Sequence, residues 1–378
     1  MDLLDPQSYR AVRGPLLSAQ TLPPECYTSP EFYRREVTEI FQKCWNLVGR
    51  EDYVKAPGDY FTHEVAGTSM IIMRGEDGVI RAFANVCRHR GAQLLQGEGN
   101  CRAIRCPYHS WLYNCQGALR GANGMQDTEG FVAADHGLIT IRLESWSGFL
   151  FVNFDPQAAP LKDYLVGLDD WTESYEFQNM VTVKRRDFTL RANWKSYVEN
   201  SLEHFHLPTV HQKTIGGVKA IWEPVDGAPG NFVILRSKTN ASRATLGNSK
   251  AFDRIATLRG PAAEGAQYIL IYPCTVIGAD LDSMWFKQML PDGPDKVRLV
   301  ASFCFTRESV ARPDFEEVVE NYHRRFDLVM REDNEISEIH YRGISNPFAR
   351  PGRFSSVEPL VHTIDNWILD RVVGKASR

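Results

Sequence analysis

The sequence has little cysteine, no long hydrophobic run and no excess of charge of one sign, and each shortage removes a class of function. Its 378 residues hold eight cysteines, too few and too unevenly spaced for a disulfide scaffold. The longest apolar stretch, around Tyr268 to Leu281, is broken by Pro273 and Asp280 and falls short of the roughly 20 residues a membrane-spanning helix needs. Acidic residues number 47 and basic ones 43, a formal charge of −4. Both signs are interspersed, so no nucleic-acid or membrane-surface footprint is visible. A flavin or nicotinamide fingerprint after a strand is missing, as is the cysteine run of a plant-type ferredoxin. Met1-Asp2-Leu3-Leu4-Asp5-Pro6 lacks a basic region followed by an apolar one, which sets the expectation of a cytoplasmic protein. What remains is ordinary globular composition, 43% hydrophobic and 24% charged, enough for two cored units.

The texture changes along the chain. Residues 1–44 read as an arm packing on another domain, with Ser29 able to cap a helix and Pro30 suited to its first position. Residues 45–155 read as a small all-β domain. Runs at Ser69–Met73 and Val79–Val86 flank a Gly-Glu-Asp-Gly turn, a hairpin signal, and further strands are expected at 103–106 and 148–154. Residues 156–378 mix amphipathic helical stretches near 160–178, 193–206 and 314–340 with strand-like runs at 181–190, 231–236, 267–272 and 296–305. That alternation predicts an α+β domain on an antiparallel sheet.

Half of the cysteines lie between 87 and 115. Cys87-Arg88-His89 and Cys106-Pro107-Tyr108-His109 are separated by sixteen residues. Two thiolates can hold one iron of a [2Fe–2S] cluster while two neutral imidazoles hold the other, which raises the potential to about −150 to +300 mV. Zinc also accepts two cysteines and two histidines, but finger-type sites open with C-x2–4-C and close with H-x3–5-H. Cys101 and Cys115 mimic part of a ferredoxin motif; with Cys26, Cys44, Cys274 and Cys304 they read as packed or surface thiols.

A second constellation lies in the segment from Asn193 to His211, expected to be helical until Pro208 stops it, with His211 on the following loop. Glu203 and His206, three apart, would share a helix face, so the carboxylate can buttress a metal-bound imidazole. His204 would point about 200° away from His206 on an ideal helix. A ferrous site of the facial-triad type needs one more carboxylate. Asp333 is the candidate, although its neighbours Glu332, Glu335 and Glu338 also suit a solvated acidic face.

Taken together, the chain resembles the α subunits of Rieske non-haem iron oxygenases, the aromatic-ring-hydroxylating family. The family's C-x-H…C-x2-H motif falls on Cys87, His89, Cys106 and His109. Its catalytic motif, N-W-K-x3-(D/E)-N followed by (D/E)-x2-H-x4-H, falls on Asn193, Trp194, Lys195, Glu199, Asn200, Glu203, His206 and His211. The later E-D-x4-E pattern matches Glu332, Asp333 and Glu338, and Gly352-Arg353-Phe354-Ser355, Glu358 and Trp367 resemble the C-terminal stretch. The resemblance implies a [2Fe–2S] Rieske domain joined to a helix-grip catalytic domain, with Asp333 as third ligand of a mononuclear iron and Glu203 and Asn200 as catalytic residues. It also implies a homotrimer in which an electron passes from one subunit's cluster to its neighbour's iron through Glu203, linking His206 to His109 of the partner subunit. Most aromatic-ring dioxygenases carry aspartate at this bridge, whereas glutamate resembles the branch acting on carnitine or betaines. His340 also replaces a frequent glutamine.

The expected reaction uses O2 with electrons from NAD(P)H, delivered by a separate flavin/[2Fe–2S] reductase with or without a ferredoxin. Hydroxylation of a small aromatic substrate is the first expectation. Oxidation or demethylation of a quaternary ammonium compound is the alternative, and a Rieske electron carrier without oxygenase activity stands as a third reading from a different class. Trp222, Phe232, Tyr268, Tyr272, Trp285 and Phe286 can stack a ring or cage an ammonium, or simply pack the sheet. Arg236 and Arg243 can pair a carboxylate, or sit exposed on a strand or loop.

Overall fold

A computed structural model describes residues 2–217, 220–240, 242–247 and 249–375. The chain divides into two units: Lys43–Leu161 as one stretch, and Met1–Gln42 together with Lys162–Arg378 as the other. No helix among the described residues is long and apolar enough to cross a membrane.

The Lys43–Leu161 unit is built from short antiparallel strands. β1 (Asn46–Arg50), β2 (Asp59–Val65), β3 (Thr68–Arg74), β4 (Ile80–Ala84) and β5 (Glu98–Asn100) join the later β9 (Thr140–Trp146) and β10 (Phe149–Asn153). They form one sheet of order β1-β10-β9-β4-β3-β2-β5. β6 (Ala103–Arg105), β7 (Leu112–Asn114) and β8 (Leu119–Gly121) form a separate three-stranded sheet. The expected hairpin is β3–β4, in register from Met70 opposite Ala84 to Arg74 opposite Ile80. Between the sheets lies a core of Ile71, Met73, Phe83, Ile104, Trp111 and Tyr113, each burial worth roughly 1.5–3 kcal/mol.

The other unit is organised on a seven-stranded antiparallel sheet of order β11-β17-β16-β15-β14-β13-β12. Its strands are β11 (Met180–Leu190), β12 (Ile221–Val225), β13 (Phe232–Lys238), β14 (Gly265–Ile271), β15 (Thr275–Ala279), β16 (Met284–Pro291) and β17 (Val297–Thr306). In this sheet the sequence reading missed β12, β15 and β16. β15 and β16 are buried along their whole length, so they lack the period-two alternation that marks a half-exposed strand. The region 160–178, expected to be one helical stretch, breaks into short turns of helix at Leu161–Tyr164 and Asp169–Thr172.

Four helices position the functional residues. α1 (Pro30–Glu36) is capped by the Ser29 hydroxyl, which accepts from the backbone amides of Glu31 and Phe32. α2 (Trp194–Asn200) is capped by Asn193. α3 (Leu207–Val210) is a single turn, and α4 (Phe315–Ile344) runs thirty residues. Its buried stripe recurs at helical spacing through Phe315, Val319, Tyr322, Phe326, Met330, Asp333, Ser337 and Tyr341. Phe326 meets Phe303 of β17 at 4.5 Å between ring centres and Trp285 of β16 at 5.8 Å. Truncating it to alanine would cost roughly 3–5 kcal/mol.

Candidate metal centres

Cys87 and His89 lie in the loop after β4, and Cys106 and His109 in the loop between β6 and β7. The first loop is closed by Cys87 N–H donating to the Ala92 carbonyl (2.8 Å) and Gly91 N–H to the Cys87 carbonyl (3.0 Å). Gly91 has φ +74°, a conformation that glycine adopts without penalty. Asn85, which the sequence reading did not notice, pins this loop. Its side-chain carbonyl accepts from the amides of Leu94 and Leu95, and its amide donates to Ser69 and the Leu95 carbonyl. In the second loop Cys106 N–H donates to the Trp111 carbonyl and Ser110 N–H to the Cys106 carbonyl; Ser110 takes φ +59°.

The two loops bring the imidazoles of His89 and His109 edge to face, 4.7 Å between centres, with Trp111 stacked on His89 at 4.9 Å. Nδ1 of each histidine is buried without a hydrogen-bond partner among the described residues, and Cys87 and Cys106 are buried free thiols. Tyr113 Oη lies 3.3 Å from Cys87 Sγ and accepts from the Arg88 amide. Paired buried imidazole nitrogens without partners, beside two thiols, are a donor set that fits a histidine-ligated [2Fe–2S] cluster. Cys115 instead donates to the carbonyls of Cys101 and Arg102.

The second site departs from the sequence expectation in its backbone. The helix begun at Trp194 stops at Asn200, and Pro208 opens α3 instead of closing a long helix. Glu203 and His206 therefore meet through a turn. Glu203 Oε2 accepts from the His206 amide at 3.0 Å and from the Phe205 amide, while Oε1 lies 2.5 Å from His206 Nδ1. A carboxylate closing its own turn replaces the helical spacing the sequence suggested. His211 ends α3 at its C-cap.

His206, His211 and Asp333 each offer a ligand atom within 4.8 Å of the others, and no other such group of three or more occurs among the described residues. Asp333 Oδ1 lies 3.1 Å from His211 Nε2 and 3.9 Å from His206 Nε2, and accepts from Asn200 Nδ2 at 3.0 Å. Glu332 Oε2, 2.6 Å from His211 Nδ1, also accepts from the Thr214 hydroxyl. Both histidines thus turn Nδ1 to a carboxylate and Nε2 inward, an orientation that fixes the tautomer a metal needs. Burial works against a charged Asp333, yet His211, Lys287 and His206 hold its carboxyl well below the usual range. Burial likewise opposes a charged His211, and Asp333 with Glu332 overcomes it. Two imidazoles and a carboxylate on one side, with cavity on the other, fit a ferrous ion with open positions. His204 stacks on Trp222, 5.0 Å between centres and 7° from parallel, and takes no part.

A cavity opens on this cluster. Its apolar wall includes Ile215, Leu235, Val276, Phe303, Phe326 and Met330. Of the six aromatic residues singled out from sequence, Trp222, Tyr268 and Trp285 line it. Phe232 and Phe286 are buried in the sheet, and Tyr272 packs against Trp367.

Residues 177–374 match the family model described as "Ring hydroxylating alpha subunit (catalytic domain)", and residues 44–134 match that of the Rieske [2Fe-2S] domain. The chain belongs to the Rieske ring-hydroxylating alpha-subunit family. It is 37% identical to the carnitine monooxygenase oxygenase subunit of Escherichia coli over 196 residues, 51% of this chain and 52% of the relative. That alignment spans about half the length of the carnitine enzyme. The glycine betaine monooxygenase oxygenase subunit of Chromohalobacter salexigens is 27% identical over 94% of this chain and 86% of its own. Among solved structures, the quaternary ammonium Rieske monooxygenase CntA with L-carnitine superposes with TM-score 0.79 at 24% identity, covering 93% of this chain and 96% of that one. Naphthalene 1,2-dioxygenase from Rhodococcus sp. superposes with TM-score 0.76 at 20% identity over 94% and 95% of the two chains. Both likenesses establish the fold.

Besides Asn85, several residues of this Rieske-family site were left open by the sequence reading or escaped it. Glu332, left open as part of a solvated face, is bonded to His211. The signal was its place beside Asp333, which itself falls on the apolar stripe of α4. Arg243, for which an exposed loop position was the favoured reading, is 5% exposed and lines the cavity. Lys287 on β16 and Arg325 on α4, neither singled out from the sequence, also line it and are buried. Arg236 is instead paired with Glu223 and Glu264.

Proposed function

We propose that this subunit is the terminal oxygenase of a Rieske non-haem iron system, with Cys87, His89, Cys106 and His109 holding the cluster and His206, His211 and Asp333 holding one iron. The observation that carries this reading is the three-ligand group facing the cavity, its two imidazoles each braced by a carboxylate. When bound, the metals supply electron storage and activation of O2. The chain's residues do the rest. Glu203 and Glu332 orient the imidazoles, Asn200 holds Asp333, and the apolar wall keeps bulk water from the reacting end.

The substrate reading follows Glu203 and the relatives. Carnitine and glycine betaine are named as substrates of the similar oxygenase subunits, so oxidation of a quaternary ammonium compound now stands ahead of the aromatic hydroxylation expected from family frequency. One oxygen atom enters a C–H bond of the substrate; the other leaves as water with two electrons and two protons. Hydroxylation of an N-methyl group would release formaldehyde. Electrons come from NAD(P)H through a separate flavin/[2Fe–2S] reductase, in a cytoplasmic homotrimer whose Glu203 faces the neighbouring Rieske unit. The test is product analysis with a reductase supplied. Formaldehyde or a cleaved amine supports the reading, a diol or phenol restores the aromatic one, and a protein holding only the cluster's iron is an electron carrier.

A further inference from the structure

We propose that Arg243 and Arg325 form an anion-binding end of this cavity, so that the site takes a small organic carboxylate: a betaine-type zwitterion in preference to a choline-type cation. The inference rests on the oxygenase reading above and narrows its substrate. Both guanidinium groups line the cavity and are 5% and 4% exposed. Arg243 Nε and Nη1 and Arg325 Nε are buried with no hydrogen-bond partner among the described residues. A guanidinium presents five donors in a rigid fork matched to a carboxylate, and buried donors left without a partner are costly; Arg243 already meets Tyr268 through its side chain. An arriving carboxylate satisfies both arginines.

Two of the carboxylates nearby are committed elsewhere. Asp282 accepts from Tyr322, Ser242 and Ser283, and Asp333 belongs to the metal-ligand group. Asp280, whose carboxyl burial pushes up to about 6, is felt by both arginines and supplies part of their counter-charge from a distance. No ion pair within 4.0 Å joins it to either of them among the described residues. The arginines are nonetheless held in place. Ser242 donates to Asp282 at 3.0 Å and accepts from the Ala244 amide, which pins the backbone on either side of Arg243. Arg325 lies two turns before Asp333 on α4, about 12 Å along the axis. A molecule bound by its carboxylate would extend lengthwise toward the metal ligands.

The aromatic walls point the same way. The Arg243 guanidinium lies 4.9 Å from the centre of the Trp222 ring, and Lys287 Nζ lies 5.4 Å from that of Trp285. The rings that would cage an ammonium already face cations of this chain.

The test titrates iron-loaded protein with glycine betaine, carnitine, choline and benzoate by calorimetry, and follows O2 uptake with a reductase present. The expected result is that the betaines bind and stimulate uptake while choline binds at least about tenfold more weakly. Arg243→Gln should weaken betaine binding on the order of 10- to 100-fold and choline far less. Arg243→Lys should recover part of the loss, keeping the charge without the fork. Should Arg325→Gln fail to fold, the betaine-to-choline ratio in the unaltered protein still decides. Equal affinity for choline and betaine, or equal losses of both in Arg243→Gln, overturns the proposal. Arg243-dependent binding of benzoate without betaine binding upholds the anion end and overturns the quaternary-ammonium reading; choline turnover with betaine binding indifferent to Arg243 does the reverse.

Discussion

Two glutamates, Glu203 and Glu332, perform the same task on opposite sides of the metal-ligand group, each holding one histidine by Nδ1. Their substitutions should separate their roles. Glu332→Gln keeps a hydrogen bond but loses the charge, and should weaken iron retention on the order of 10- to 100-fold, measured by dialysis against a ferrous chelator with the Rieske spectrum unchanged. Glu203→Gln should keep both kinds of iron yet nearly abolish coupled turnover; full activity there would refute the bridge between subunits. Glu199 offers a pH prediction. Burial pushes its carboxyl up to about 7, with Glu358 and Glu36 adding to the shift and Tyr27 and Lys195 opposing it. The folded state therefore keeps the proton where an unfolded glutamate, near 4.3, releases it. Stability from this group is full below that value and lost as pH rises through about 7. Glu199→Gln, whose amide carbonyl still accepts from Tyr27, should flatten this part of the melting-temperature profile and melt higher than the parent at pH 8. At this scale the sequence was most legible, because ligand residues come in fixed spacings. Glu332 was ambiguous since an acidic residue on a helix is usually solvated.

Among the elements, α2 is tied to α1 by a wholly buried ion pair, Lys195 Nζ to Glu36 Oε1 at 2.5 Å, with Trp194 Nε1 donating to the other oxygen. Removing one partner leaves the other charge buried alone, so Lys195→Met should destabilise by about 3–5 kcal/mol. Adding Glu36→Gln should recover much of that, read as the melting temperatures of the single and double variants. Periodicity told half the story here. It revealed α4 and the edge strand β11, each of which faces solvent on one side. β15 and β16 stayed invisible because both of their faces are covered, and the turn from Ser201 to His206 was read as helix because Glu203 and His206 keep an i, i+3 spacing that a closed turn also permits.

For the whole molecule, the chain builds its first 42 residues with the C-terminal unit and interposes Lys43–Leu161 as one continuous stretch. Composition revealed the change of texture near 45 and again near 155. It did not reveal the cavity's charges, since Arg243, Lys287 and Arg325 are far apart in sequence and each reads alone as a surface cation. At this scale the account predicts a trimer by sedimentation, held as the electron route between neighbours requires. Its central claim, that two unlike iron centres act in series on O2, is tested most directly by a single turnover. Chemically reduced protein is mixed with O2 and glycine betaine while the visible spectrum of the Rieske centre is followed. The unaltered protein should reoxidise its cluster as product forms, and Asp333→Ala should keep its cluster reduced. Reoxidation at the same rate in both would contradict the account.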